Sequence, residues 1–271
     1  MFTYIYNIID ISIQIYKNKL GMKRINHNMN NPRAIKRIHN DIIEYNKTPI
    51  DRTWIHQCED AINKMYVAIA GPIGSVYEDG IYFFVFEFTN NYPNEPPKCR
   101  FLNWQNSVHR MHPNMYTNGL LCMSILGTWS GPSWTSAMTL SMIILSIQAI
   151  MDDNPLIHEP GYEKNPASAE HIKYQKIVEY YNNKDFIGKT IDIVSQSTPY
   201  DECVSYLSYF KESLCVFYEN NNTRERIMAK LLRLKTVNTS KIVVSTSYRT
   251  SNATIDYAEL YTYITDKLSE K

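Results

Sequence analysis

Apolar residues first recur at helical spacing after Asn31-Pro32. Ile35, Ile38, Ile42 and Tyr45 fall on one face, with Lys36, Arg37, His39, Asn40 and Glu44 outside it. Asparagine serves as N-cap and proline suits the first helical position, so a helix is predicted from there to the stop at Thr48-Pro49. Residues 50–63 carry no clear period and read as irregular. Three strand-like runs follow, MYVAIA at 65–70, IYFFVFEF at 81–88 and KCRFLN at 98–103, in which β-branched and aromatic side chains are frequent. Turn signals at Gly71-Pro72 and Glu78-Asp79-Gly80 separate the first two, and short links favour an antiparallel meander. From Met138 to Met151 the chain is apolar nearly all round, the pattern of a helix buried on most faces. Thr135 or Ser136 is its expected N-cap and Asp152-Asp153-Asn154-Pro155 its stop. Another helix is predicted over 169–183. Helical patterns at 201–218, 224–235 and 255–268 then surround a strand-like KIVVSTSY at 241–248.

These elements make an α+β chain: an antiparallel meander flanked by an N-terminal helix, a buried central helix and C-terminal helices. Three parts are expected: an N-terminal segment and polar linker over 1–31, a main domain over 32–189, and a mostly helical extension over 190–271. Asn7, Asp10, Ser12 and Gln14 interrupt the opening apolar run, which is too short and polar to span a bilayer. It also lacks the basic start and small-residue cleavage site of a signal peptide. Tyr92-Pro93 and Pro96-Pro97 stiffen the crossing before the third strand run, and a cis peptide bond is predicted at Tyr92-Pro93.

Charge narrows the classes of partner. Lys+Arg 28 against Asp+Glu 27 leave a formal net charge of +1, without the basic excess of a nucleic-acid or anionic-membrane binder. The cysteines, Cys58, Cys99, Cys122, Cys203 and Cys215, are odd in number and scattered. Reduced thiols in a cytoplasmic or nuclear compartment fit this better than a disulfide framework.

Candidate chemistry concentrates in MHPNMYTNGLLCMSIL, residues 111–126. His112-Pro113-Asn114 and Thr117-Asn118-Gly119 bend the backbone twice and hold it stiffly, so Cys122 can share a small surface with the Asn114 amide. Taken alone, a cysteine among Leu121, Met123, Ile125 and Leu126 is an ordinary core residue.

The wider context resembles the ubiquitin-conjugating enzymes. AIKRIHNDI at 34–42 is similar to that family's first helix, YPNEPPKCRF at 92–101 to its proline-rich crossing, and the step from His-Pro-Asn to Cys122 has the family's spacing. LGTWSGPSW and HEPGYE at 158–163 resemble the large members, which carry an extended loop beside the cysteine and a C-terminal extension. The resemblance implies the ubiquitin-conjugating fold and thioester chemistry. Cys122 would accept ubiquitin or a ubiquitin-like modifier from an activating enzyme and pass it to a substrate lysine or a ligase. The chain itself would need no cofactor, since ATP is used by the activating enzyme. A thiolate attacks and leaves well, and that function asks for a sulfur open to solvent. Asn114 would organise the loop and stabilise the oxyanion, while His112 and Pro113 shape the loop. An incoming lysine, with a free pKa of about 10.4, must lose a proton. Glu159 is the first candidate to assist and His158 the second. Lys36 and Arg37 stand where the family meets its activating enzyme and ligases. Asn94 and Ser136 depart from the family pattern and weaken the case for ordinary RING-type or HECT-type ligases.

Rival readings are less well supported. A Cys122–His112 hydrolase lacks a nucleophile motif and a third orienting residue. A zinc module from Cys99, His109, His112 and Cys122 lacks paired-ligand spacing. The remaining alternative is a catalytically silent scaffold of the same fold that binds ubiquitin-pathway partners.

Overall fold

The computed structural model describes residues 29–102, 104, 109–195, 202–250 and 252–269. The expectations for residues 1–28 lie outside them. Helix α1 (Pro32–Lys47) starts as its sequence dictates, with Asn31 Oδ1 accepting from the Arg33 amide at 3.0 Å. Its buried side includes Asp41 among Ala34, Ile38 and Tyr45. That carboxylate is matched by Arg37 Nε at 3.0 Å and by the Tyr92 hydroxyl, which donates to it.

Strands β1 (Thr53–Gln57), β2 (Lys64–Ala70), β3 (Ile81–Glu87) and β4 (Lys98–Leu102) form an antiparallel meander in chain order. β1 lies in the stretch read as irregular. Most of its five residues are half-buried, so no alternation advertised it, and it is defined by pairing with β2 from Thr53↔Ile69 to Gln57↔Met65. The peptide bond at Tyr92-Pro93 is cis, as predicted.

The register puts Trp54, His56, Tyr66, Ala68 and Phe83 on one face of the sheet. The C-terminal extension covers that face. Phe83 lies 5.2 Å from Tyr206 between ring centroids, Trp54 5.4 Å from Phe217, and His56 stacks on Tyr209 at 4.1 Å. On the other face Tyr82 stacks on Phe186 at 4.2 Å. Coverage on both sides is why β3 reads as a continuous apolar run, since a strand wetted on one side would alternate.

Helix α2 (Leu140–Ile150) begins at Thr139 rather than at Thr135 or Ser136, Thr139 Oγ1 accepting from the Met142 amide at 3.4 Å. It is also less buried than its composition implied. Leu140, Ile143, Ile144 and Ile147 face the core, whereas Met142 and Leu145 are about half exposed. Helix α3 (Ala169–Tyr181) continues through a wider π-type coil (Asn182–Lys189) into α4 (Thr190–Ser195). The division expected at 189/190 therefore falls inside one helical run, whose Phe186, Ile187, Ile191 and Val194 all belong to the main core.

Beyond it come α5 (Lys211–Glu219), α6 (Asn221–Val237), a hairpin of β5 (Ile242–Ser245) and β6 (Asn252–Ile255), and α7 (Tyr257–Ser269). The strand predicted over 241–248 stops at Ser245 because the chain turns back there, and β6 was not foreseen. Asp79, almost fully buried, ties the extension down. It accepts from Arg52 Nη2 at 2.8 Å and from Arg226 of α6 at 2.7 and 3.0 Å, while its carbonyl accepts from the Tyr218 hydroxyl. Gly80, next to it, allows close approach: a Cβ there would lie 1.9 Å from Asn182 Oδ1.

Candidate active site

The backbone around Cys122 is fixed from both sides. Its amide donates to the Asn114 carbonyl at 2.9 Å, and Asn114 Nδ2 donates to its carbonyl at 2.5 Å. Thr128, in the loop after the cysteine, accepts from the Met123 amide at 2.9 Å and donates to the Leu121 carbonyl at 2.7 Å. The turn at Asn118-Gly119 returns the chain toward β4. Gly119 has φ 89°, and its carbonyl accepts from the Phe101 amide at 2.9 Å. A side chain there would be strained by that φ and would press a Cβ to 2.9 Å from the Phe101 carbonyl.

Cys122 and Asn114 are thus brought together, but the cysteine as a whole is more enclosed than expected. Cys122 is 5% exposed. It nevertheless stays out of the contiguous apolar cluster that includes its neighbours Leu121 and Met123. Cys99 does belong to that cluster, and burial pushes its thiol well up. Asn114 is half-buried, and its Oδ1 has no hydrogen-bond partner among the described residues. One hydrogen of its amide is committed to the Cys122 carbonyl, which leaves the other as a donor.

His112 shapes this loop. It is fully buried, and its Nδ1 accepts from the Asn114 amide at 2.9 Å. That bond requires an unprotonated Nδ1, and burial, aided by nearby His158, holds the ring well below the usual histidine range. The preceding residues are tethered by hydroxyls: Tyr77 donates to the Met111 carbonyl at 2.8 Å and Tyr174 to the Arg110 carbonyl at 2.6 Å.

The loop beyond α2 reaches the same place. A short helical turn (Pro155–His158) leads to Glu159, and the His158 ring lies 5.0 Å from that of His112. His158 is engaged, its Nε2 lying 2.7 Å from Asp152 Oδ2. Glu159 is half-buried, and its Oε2 accepts from the Tyr248 hydroxyl at 3.1 Å. Neither Thr128 nor Tyr248 was anticipated. Tyr248 stands 89 residues from Glu159, and no local pattern could announce that meeting.

The proposed partner residues separate. Lys36 is exposed on α1. Arg37 turns inward, paired with Asp41 and donating to the carbonyls of Ser136 (2.7 Å) and Met138. It staples α1 to the segment ahead of α2, so its guanidinium is already committed. In the loop after the cysteine, Trp134 Nε1 donates to the Pro93 carbonyl at 2.7 Å, whereas Trp129 is 47% exposed. Among the described residues no group of three or more His, Cys, Asp and Glu could hold a metal ion, and no helix is long and apolar enough to cross a membrane.

The ubiquitin-conjugating enzyme family model matches residues 37–184, which include β1–β4, the Asn114–Cys122 loop and Glu159. The chain belongs to the ubiquitin-conjugating enzyme family. Within that family it is similar to ubiquitin-conjugating enzyme E2 Z of Xenopus tropicalis, 35% identical over 147 residues, 54% of this chain and 47% of that one. The Homo sapiens E2 Z is 34% identical over 149 residues, covering 55% of this chain and 42% of its own. A putative ubiquitin-conjugating enzyme E2 39 of Arabidopsis thaliana is 34% identical over 128 residues, 45% of this chain and 40% of its own. The matched region thus spans less than half the length of these relatives. Tyr248 and the rest of the extension lie beyond the family-model match.

Proposed function

We propose that this chain carries ubiquitin or a ubiquitin-like modifier as a thioester on Cys122 and transfers it to a lysine amine or to a ligase. The observation that carries the reading is the pairing of Cys122 with the Asn114 carboxamide inside a loop held rigid by Thr128 and His112. Family membership supports it. The activating enzyme, which uses ATP, supplies the modifier, and Lys36 on the exposed side of α1 is a contact for that enzyme or for a ligase. Free thiol chemistry of this kind belongs in a reducing, cytoplasmic or nuclear compartment.

In the transfer step the amine nitrogen attacks the thioester carbonyl. The N–C bond forms, the C–S bond breaks, and the electron pair leaves on Cys122 Sγ. The second N–H of Asn114 stabilises the oxyanion on the way. Glu159 takes the amine proton, and His158, held by Asp152, orients the loop. Because Cys122 is buried, binding of the modifier's C-terminus includes a local opening around the sulfur.

Charging with activating enzyme, ATP and ubiquitin or ubiquitin-like modifiers tests this. The wild-type chain is expected to form a reductant-sensitive adduct that Cys122→Ala loses, and Cys122→Ser is expected to hold a hydroxide-labile ester instead. Absence of any adduct across a panel of activating enzymes and modifiers would favour the silent-scaffold alternative.

A further inference from the structure

The hairpin of the extension ends beside the candidate proton acceptor. Between β5 and β6 the turn at 246–250 carries Tyr248, which is 4% exposed and packed edge-on against Tyr174 at 5.1 Å and Tyr162 at 5.8 Å. Glu170 of α3 fixes the turn, accepting from the Tyr248 amide and from the Ser247 hydroxyl, both at 2.9 Å. The tyrosine is held at three points, by two rings and a carboxylate, so the direction of its hydroxyl is determined. That hydroxyl donates to Glu159 Oε2 at 3.1 Å.

We propose that Tyr248 is a positioning residue for the transfer step, holding the Glu159 carboxylate through Oε2 so that Oε1 is the oxygen presented to the incoming amine. The inference rests on the role given to Glu159 above, and it gives the extension a part in the chemistry. A glutamate on a loop has several accessible rotamers, and pinning one oxygen selects among them before the amine arrives. The phenol suits the task because it remains a donor throughout the working range: burial, with Glu159 itself contributing, pushes Tyr248 up to about 12. Its immediate electrostatic surroundings are Arg110, whose guanidinium lies 3.5 Å from the centroid of the Tyr116 ring, and Arg249, which sits at φ 55° beside the Tyr248 ring.

The test compares full-length wild type, Tyr248→Phe, Glu159→Gln and the double variant, each charged with ubiquitin and chased with free lysine or with hydroxylamine. Phenylalanine keeps the ring packing, so the fold and the charging rate should not change. Discharge to lysine should slow about tenfold in Tyr248→Phe, the scale of one charge-assisted hydrogen bond. Discharge to hydroxylamine, an amine already neutral at neutral pH, should be unaffected. The double variant should be no slower than Glu159→Gln, because both changes remove one device. Independently of any thioester, the Glu159 carboxyl carbon resonance should shift in Tyr248→Phe. Wild-type rates in Tyr248→Phe with a slow Glu159→Gln, additive losses in the double variant, or an unmoved carboxyl resonance would overturn the proposal while leaving Glu159 in place. A Glu159→Gln chain as fast as wild type would overturn both.

Discussion

His112 and Cys99 show what burial does to single side chains here. Each is enclosed, and in each the charged form is penalised: the imidazole is held unprotonated and the thiol protonated. For His112 this has a consequence for stability. Unfolded, a histidine takes up a proton below its ordinary pKa of about 6.5, whereas the buried ring does not. The unfolded state therefore binds more protons in that range, so the stability owed to the neutral ring is complete above pH about 6.5 and falls below it, by at most about 1.4 kcal/mol per pH unit. His56 and His109 are shifted the same way by burial and add to the trend. Denaturant unfolding at pH 7.5 and pH 5.5 is expected to give a lower free energy at the acidic value, with a smaller difference in His112→Asn. Equal values in wild type would contradict a buried neutral ring.

At the scale of elements, the joint between α6 and the β2–β3 turn stands out. Asp79, at φ 62° and 2% side-chain exposure, faces Arg52 and Arg226, whose side chains are 11% and 28% exposed. Glu78 stands farther off, 3.6 Å from Arg226. Replacing Asp79 by asparagine keeps a residue tolerant of positive φ but leaves two enclosed guanidiniums short of an anion. A loss of about 3–5 kcal/mol is expected, the scale for removing one partner of a buried pair, read from the shift in denaturant midpoint. A loss below about 1 kcal/mol would mean that the joint behaves like a surface pair. Lys230, on the same helix, adds to the polar character of this contact: its Nζ is buried without a hydrogen-bond partner among the described residues, and burial lowers its pKa.

For the whole molecule, the extension is the second cover of the sheet. Tyr206, Tyr209, Phe210 and Phe217 lie over Trp54, His56, Tyr66 and Phe83. A chain ending at residue 189 would bare that face and cut a continuous helix. Such a truncation is expected to aggregate or to bind a hydrophobic dye strongly, with a lowered thermal midpoint, measured by light scattering and dye fluorescence. Its failure to charge would then report lost folding rather than lost choice of modifier. A monomeric, cooperatively folding 1–189 chain would show that the cover is dispensable.

Several features were fixed by neighbours in the chain and could be read without a structure. The Asn31-Pro32 cap, the strand runs, the cis Tyr92-Pro93 bond and the turn that brings Asn114 beside Cys122 depend on local propensity and short spacing. Short-range geometry restricts each of them to few conformations. Other features depended on which distant faces meet. β1 exists because β2 pairs with it, and α2 keeps an apolar side in water because nothing among the described residues covers it fully. Arg37 turns inward because Asp41 and two carbonyls await it, and Cys122 is enclosed rather than open. Packing the extension onto the sheet settled the largest of these questions. It covered the second face of β3 and carried Tyr248 to Glu159, a contact between residues whose separation along the chain exceeds the reach of any sequence period.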